Sequence, residues 1–368
     1  MNQNKKTNIA ILGNGQLASM LADCADKLSL TTQAFPLPKT DASGLISQKE
    51  IDYWLEVLQP FDVVTFEIEN IALDLLKALE TVTLVRPAVT ALEVAQDRLK
   101  EKTLCSQLEI PTNQYLAVSS YNDLLLAVEK LGLPLVIKTR RFGYDGKGQY
   151  VIKDRKDIEP AWQALSGASH LIAEQFVPFD FEVSQVATRD KNGQIVFYPL
   201  VRNEHRDGIL RESFVLSDKQ SLSLDAQTIA KKLLDHFDYI GTFAIEFFVK
   251  DNQLLVNEIA PRVHNSGHWS INGASVSQFE NHLRAISDLS LVQPQLVAPF
   301  IMMVNLIGEE LPDNWPTVEG VYPKSYGKSL RENRKMGHVN VVGHSKDELK
   351  LRLNDIYQQI QAMACLDI

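Results

Sequence analysis

Short apolar runs alternate with amphipathic ones through the first third of the chain. The run IAIL (9–12) leads through GNGQ into LASMLADCADKL, where Leu17, Met20, Leu21, Cys24 and Leu28 share one helical face. TTQAF and DVVTFE read as further strands and IALDLLKALE as a helix. This alternation predicts a parallel, doubly wound sheet. The pattern changes at Pro111. SSYNDLLLAVEKLG carries Ser and Asn cap signals and stops at Gly132, as a helix does. LPLVIK is a strand, a glycine-rich loop follows, QYVIK is a second strand, DIEPAWQALSG is helical and HLIAEQFV closes the unit. A small strand-and-helix module with a glycine loop inside it predicts a mobile lid. From about residue 185, longer strands (VSQVATRD, GQIVFYPLVR, GTFAIEFFV, QLLVNEIA) precede mixed helix and strand, an α+β pattern. The expected division is 1–111, 112–184 and 185–368.

Length supports this division, since 368 residues leave room for two or three domains. A net charge of −9 without a long basic stripe argues against nucleic acid and against an anionic membrane surface as partners. No stretch approaches the roughly 20 apolar residues of a membrane span. The opening MNQNKKTNIAILG breaks off at Gly13, which suits a buried strand rather than a signal peptide. Cys24, Cys105 and Cys365 are odd in number, widely spaced and match no metal pattern, so they read as free thiols of a reducing compartment. The expected location is the cytoplasm.

Candidate chemistry begins with RRFGYDGKGQ (140–149). Gly143, Gly146 and Gly148 surround Lys147, but Gly148 stands where a mononucleotide P-loop needs Ser or Thr. Lys138 and Lys147 lie within ten residues of each other, and the glycines let amides turn toward one anion. Each ammonium–oxyanion pair at about 4 Å supplies roughly 4 kcal/mol of gross attraction at intermediate dielectric. Magnesium would come from GTFAIEFFVKDNQLLVNEIAPR. With a three-residue turn at Asp251-Asn252-Gln253, Glu246 lies opposite Glu258 on one face, and a two-residue turn would separate them. Magnesium is usually held by one or two carboxylates plus phosphates. GNGQLA, with Gly13, Gly15 and Ala18, meets a dinucleotide fingerprint, but the next strand ends AFPLP without the required acid. A tight turn and a phosphate seated on the helix N-terminus both remain open there. Arg262, His264, Asn265, Ser266 and His268 crowd one short segment that suits an oxyanion or sugar phosphate. Lys328, Arg331, Arg334 and Lys335 form a basic run with one acid, Glu332.

The order Lys138, GYDGKGQ, EQFV, Glu182, His205, Glu246 and NEIAPR resembles the ATP-grasp superfamily. Within it, GNGQLASM, VVTFEIEN, QDR, GYDGKGQ, NEIAPRVHNSGH and RKMGH resemble the 5-(carboxyamino)imidazole ribonucleotide synthase family of purine biosynthesis, over nearly the whole chain. The resemblance implies an ATP-grasp fold: an N-terminal Rossmann-like, pre-ATP-grasp domain, a lid, and a C-terminal α+β domain. It implies ATP contacts from Arg98, Lys138, Gly143, Tyr144, Asp145, Gly146, Lys147, Gly148, Gln149, Glu174, Gln175, Phe176, Val177, Glu182, His205, Asn257 and Glu258. Glu174 to Val177 would line the adenine pocket and Glu182 would hold the ribose. Magnesium would sit on Glu246 and Glu258. Tyr144, Asp145, Lys147, Arg262, His264, Asn265, Ser266, Lys328 and Arg334 would surround 5-aminoimidazole ribonucleotide and bicarbonate. The implied reaction forms carboxyphosphate, with Arg262, Lys147 and Asp145 as the catalytic groups, in a homodimer. The chain departs from the family pattern at Ala18, Phe142, Val263 and in RENRKMGH, which lacks a Pro-Gly pair, and none of these removes a charged group. Another ATP-grasp ligase and, on GNGQLA alone, a nicotinamide oxidoreductase are the competing readings.

Overall fold

Four parallel strands run in the order Thr31–Phe35, Asn8–Leu12, Val63–Phe66, Leu84–Val85 in the computed structural model. The structure describes residues 6–41, 44–143, 148–165, 167, 170–216, 220–311, 315 and 317–360. Alternation along the first strand builds two layers. Ile9 and Ile11 pack with Leu17, Met20 and Leu21 of the helix Gln16–Ala25, while Ala10 and Leu12 pack with Trp54, Leu58, Leu75 and Leu76. The first layer also takes in Val263, Phe279, Leu283 and Ile286 from far along the chain. Each fully buried side chain of this kind contributes roughly 1.5–3 kcal/mol, so the N-terminal unit is fixed to the C-terminal body.

The lid has its own antiparallel sheet, in the order Tyr115–Val118, Leu171–Gln175, Leu135–Thr139, Gln149–Ile152. The helix Tyr121–Leu131 starts where the Ser120 hydroxyl accepts the Asp123 amide and stops at Gly132, whose φ of 76° suits glycine. Its core, among the described residues, is drawn from 118–173 alone, including Leu124, Val128, Leu135, Ile137, Ile158 and Leu171. A unit with a separate core can tilt without opening another core.

The C-terminal body centres on a nine-stranded sheet. Its path is Gln253–Ala260, Gly241–Lys250, Phe181–Arg189, Val201–Arg206, Ile209–Val215, Phe300–Ile307, Lys335–Gly343, Val321–Ser325, with Ile195–Phe197 added beside Phe181–Arg189. The single strand expected over GQIVFYPLVR is two strands, Ile195–Phe197 and Val201–Arg206, separated around Pro199. Proline lacks the donor that an inner ladder requires.

Candidate functional site

Glu246 and Glu258 meet across the hairpin of Gly241–Lys250 and Gln253–Ala260. The expected three-residue turn is incorrect. Lys250 pairs with Gln253, and Asp251 and Asn252 form a two-residue turn with φ of 50° and 59°, as a type I′ turn requires. Such a turn alone would set Glu246 opposite Asn257. Instead Phe247 pairs with Val256 and Glu246 with Glu258, so Asn257 is the extra residue of a β-bulge. The bulge restores the pairing, and directly opposed residues share a face.

The pair carries unresolved charge. Burial first, then the Glu258 charge, raises the Glu246 carboxyl to about 7. Burial also pushes Glu258 upward, but Arg98 and Lys138 outweigh it and hold that carboxyl low. Arg98 Nη1 donates to Glu258 Oε2 at 3.3 Å. His264 Nε2 lies 3.5 Å from Glu246 Oε1, yet burial and the Arg262 charge hold this imidazole well below its ordinary range, so it stays neutral. Two opposed carboxylates, the first mostly covered and the second partly open to solvent, fit a hard divalent cation whose other ligands are phosphate oxygens and water. Among the described residues no group of three or more His, Cys, Asp and Glu gathers as a metal cage.

The lid supplies cations. Lys138 Nζ donates to Glu174 Oε2 at 2.9 Å, and Asn113 adds a second bond at 3.0 Å. Burial opposes ionisation of Glu174, but Lys138 and Lys102 win and hold its carboxyl at about 2. The implied phosphate cation and adenine-pocket acid thus bond each other. QDR explains the loop base: Asp97 accepts two bonds from Arg140, Gln96 accepts from Arg141 at 2.6 Å, and the Arg98 amide donates to the Arg140 carbonyl at 3.0 Å. Phe142 takes a φ of 62°, a costly conformation for a bulky residue. Gly143, Gly148 and Gln149 flank the loop. Tyr144, Asp145, Gly146 and Lys147 lie outside the described residues, as does Cys365. The strand Leu171–Gln175 carries Glu174 and Gln175, and Phe176 and Val177 follow it; the Phe176 amide donates to the Pro134 carbonyl. Glu182 and His205 bond across neighbouring strands. Burial would lower the His205 pKa, but this bond and the Glu246 charge raise it to about 9.

The third cluster joins the N-terminal unit to the body. Arg262 bridges to Glu69 at 2.6 Å. His264 Nδ1 shares a hydrogen bond with the Ser266 hydroxyl at 2.8 Å. Asn265 is buried, and among the described residues neither of its side-chain amide atoms has a partner. Lys328 donates to Gln16 Oε1, while Arg334 donates to the Ser329 carbonyl and hydroxyl, both at 3.1 Å. Burial first, then the nearby Arg334 charge, lowers the Lys328 pKa. At GNGQ the Gly15 and Ala18 amides donate to the two carboxylate oxygens of Glu67, the latter at 2.7 Å. The helix N-terminus therefore holds an acid of the chain itself. Sequence reading missed Gln16, Glu67, Glu69, Gln96 and Asp97. For the two glutamates a signal existed, since VVTFEIE places both just past the carboxyl end of a parallel strand, where open α/β sheets bind ligands.

Residues 103–279 match the ATP-grasp domain family, residues 6–96 the ribonucleotide synthetase preATP-grasp domain, and residues 302–352 the phosphoribosylaminoimidazole carboxylase C-terminal domain. The chain is 38% identical over 353 residues to the N5-carboxyaminoimidazole ribonucleotide synthase of Vibrio cholerae serotype O1, covering 94% of this chain and 93% of that protein. It superimposes on the crystal structure of the N5-carboxyaminoimidazole ribonucleotide synthetase from Thermus thermophilus with a TM-score of 0.85 at 38% identity, over 96% of this chain and 99% of that one. The Aspergillus clavatus synthase, solved with ADP and 5-aminoimidazole ribonucleotide, gives a TM-score of 0.85 at 25% identity, over 97% and 99% of the two chains.

Proposed function

This chain belongs to the N5-carboxyaminoimidazole ribonucleotide synthase family of ATP-grasp ligases, and on that premise we propose how its residues carry out an ATP-dependent carboxylation in purine biosynthesis. The substrates are ATP, bicarbonate and 5-aminoimidazole ribonucleotide. A bicarbonate oxygen attacks the γ-phosphorus, the bond to the β-phosphate oxygen breaks, and ADP leaves. The resulting carboxyphosphate loses phosphate as its carbon, directly or as carbon dioxide, bonds to the exocyclic amine of the ribonucleotide. The amine gives up one proton, for which Asp145 is the proposed acceptor. The product is 5-carboxyaminoimidazole ribonucleotide.

One observation carries the nucleotide half of this reading. The opposed Glu246 and Glu258 lie on a body strand pair, and Glu258 is within the field of Arg98 from the N-terminal unit and Lys138 from the lid. We assign ATP to the cleft among these three units, with Lys138, Gly143 to Gln149, Glu174 to Val177, Glu182, His205, Arg98 and Asn257 along it. Magnesium held by Glu246 and Glu258 would supply neutralisation of the transferring phosphoryl group. Lys138 and Lys147 orient and neutralise the phosphates, and Arg262 balances the carboxyphosphate. A closed lid excludes water from that unstable anhydride. His264, Asn265 and Ser266 face the reacting carbon's site, and Lys328 and Arg334 take the ribonucleotide phosphate. The unit boundaries 1–111, 112–184 and 185–368, a homodimeric state and a cytoplasmic location complete the proposal. No helix among the described residues is long and apolar enough to cross a membrane.

Coupled ADP release tests the reaction. Release that requires both bicarbonate and 5-aminoimidazole ribonucleotide is the expected result. Release that persists without bicarbonate, or that needs a different amine, counts against this assignment.

A further inference from the structure

The bulge at Asn257 decides which face Glu258 takes, so whatever holds the bulge belongs to the working site. A single helical turn does so. Arg98, Glu101 and Lys102 stand at i, i+3 and i+4 on the helix Arg98–Gln107 and share one face. That face meets residues 256–259. The Arg98 guanidinium donates to the Glu258 carboxylate, and a Glu101 carboxyl oxygen accepts the Ile259 amide at 3.1 Å. The Lys102 ammonium, 1% exposed, donates to the Val256 carbonyl at 2.8 Å, the Asn257 carbonyl at 2.9 Å and the Thr112 hydroxyl at 2.8 Å. Three acceptors match the three hydrogens of an ammonium group. The Thr112 hydroxyl in turn donates to the Val256 carbonyl at 2.8 Å.

We propose that Lys102 is a positioning residue for the metal-and-phosphate end of the site, holding the Asn257 bulge so that Glu258 stays opposite Glu246. It acts through the carbonyls of the two residues that precede Glu258. A bulge breaks the ladder locally, and a buried carbonyl stripped of its partner costs about 1–3 kcal/mol, so the bulge persists while an outside donor meets it. Without the bulge, the two-residue turn sets Asn257 opposite Glu246 and turns Glu258 to the other face. Thr112 opens the lid segment, so the same ammonium also ties the base of the lid to the strand that carries the acid. The inference rests on the reading of Glu246 and Glu258 as cation ligands.

The test uses the full chain and manganese ion as the probe, with binding followed by electron paramagnetic resonance in the presence of ADP. Lys102→Met keeps the length of the side chain and removes its donors. It is expected to unfold cooperatively on heating, to bind metal-free ADP as the wild type does, and to bind manganese about tenfold or more weakly, the loss usual when an outer partner of a ligand is removed. Lys102→Arg, which keeps donors, should recover part of that affinity. A folded Lys102→Met with wild-type manganese affinity overturns the proposal, as does an equal loss of metal-free ADP binding. If Lys102→Met does not fold, Thr112→Val carries the test, because it removes one acceptor of Lys102 and one donor to Val256. A severalfold loss of manganese affinity is then expected, and an unchanged affinity overturns the proposal. Wild-type protein that takes up no manganese with ADP would remove the functional reading beneath it, an outcome separable from a failure at Lys102 alone.

Discussion

Glu67 sits just past the end of a strand, Glu246 and Glu258 lie inside a paired hairpin, and their surroundings treat these acids in opposite ways. Glu67 lies against the start of the helix Gln16–Ala25, where the Gly15 and Ala18 amides bond its two oxygens. The positive end of a helix welcomes such a charge. Glu246 and Glu258 face each other on a ladder, with a neutral histidine beside the first and an arginine beside the second. The first acid is satisfied by the fold and holds it together. The second pair is met by the charges of Arg98, Lys138 and His205 rather than by helix amides. An acid near a cleft therefore says little about chemistry until its partners are counted.

The sharpest break of this contrast is Glu258→Gln. It should lower ADP formation at least about a hundredfold, as loss of a group that organises transition-state charge does, with the thermal midpoint little changed. Near-normal turnover by that variant would remove the pair from the site. At the other acid the damage should fall on stability. A Cβ on Gly13 would lie 2.4 Å from Glu67 Cγ, at a φ of 110°, so Gly13→Ala should cost on the order of 2–3 kcal/mol in urea unfolding. Unchanged stability would mean that Glu67 moves freely. The pH-dependent effect concerns His205, whose proton partly compensates the acid pair. Its pKa is raised to about 9 in the fold against about 6.5 in an unfolded chain. Its stabilisation is thus complete below about pH 6.5 and is lost as pH rises through about 9. Wild-type stability should decline across that window and His205→Gln should flatten the slope; identical pH profiles would detach His205 from the pair.

Much of this was readable before any coordinates. The apolar run 9–12 and the caps at Ser120 and Gly132 are local signals, and local geometry obeyed them. The acids at 246 and 258 were also visible as charges inside apolar strands. The turn between them was misread because Asp251-Asn252-Gln253 is compatible with either loop length, and the choice is made elsewhere. The donor that meets the Asn257 carbonyl lies 155 residues away in sequence. Glu67 was passed over for a similar reason, since its partner amides sit 52 and 49 residues before it.

The sequence by itself determined the periods, the turn residues, the family and the list of charged groups, because each depends on neighbours within a few positions or on the order of motifs. Tertiary structure alone decided which acid is neutralised by amides, which is left facing its twin, and which lysine secures the bulge between them. Charge balance and register are set by groups that approach through space, and their distance along the chain leaves no mark on any local pattern.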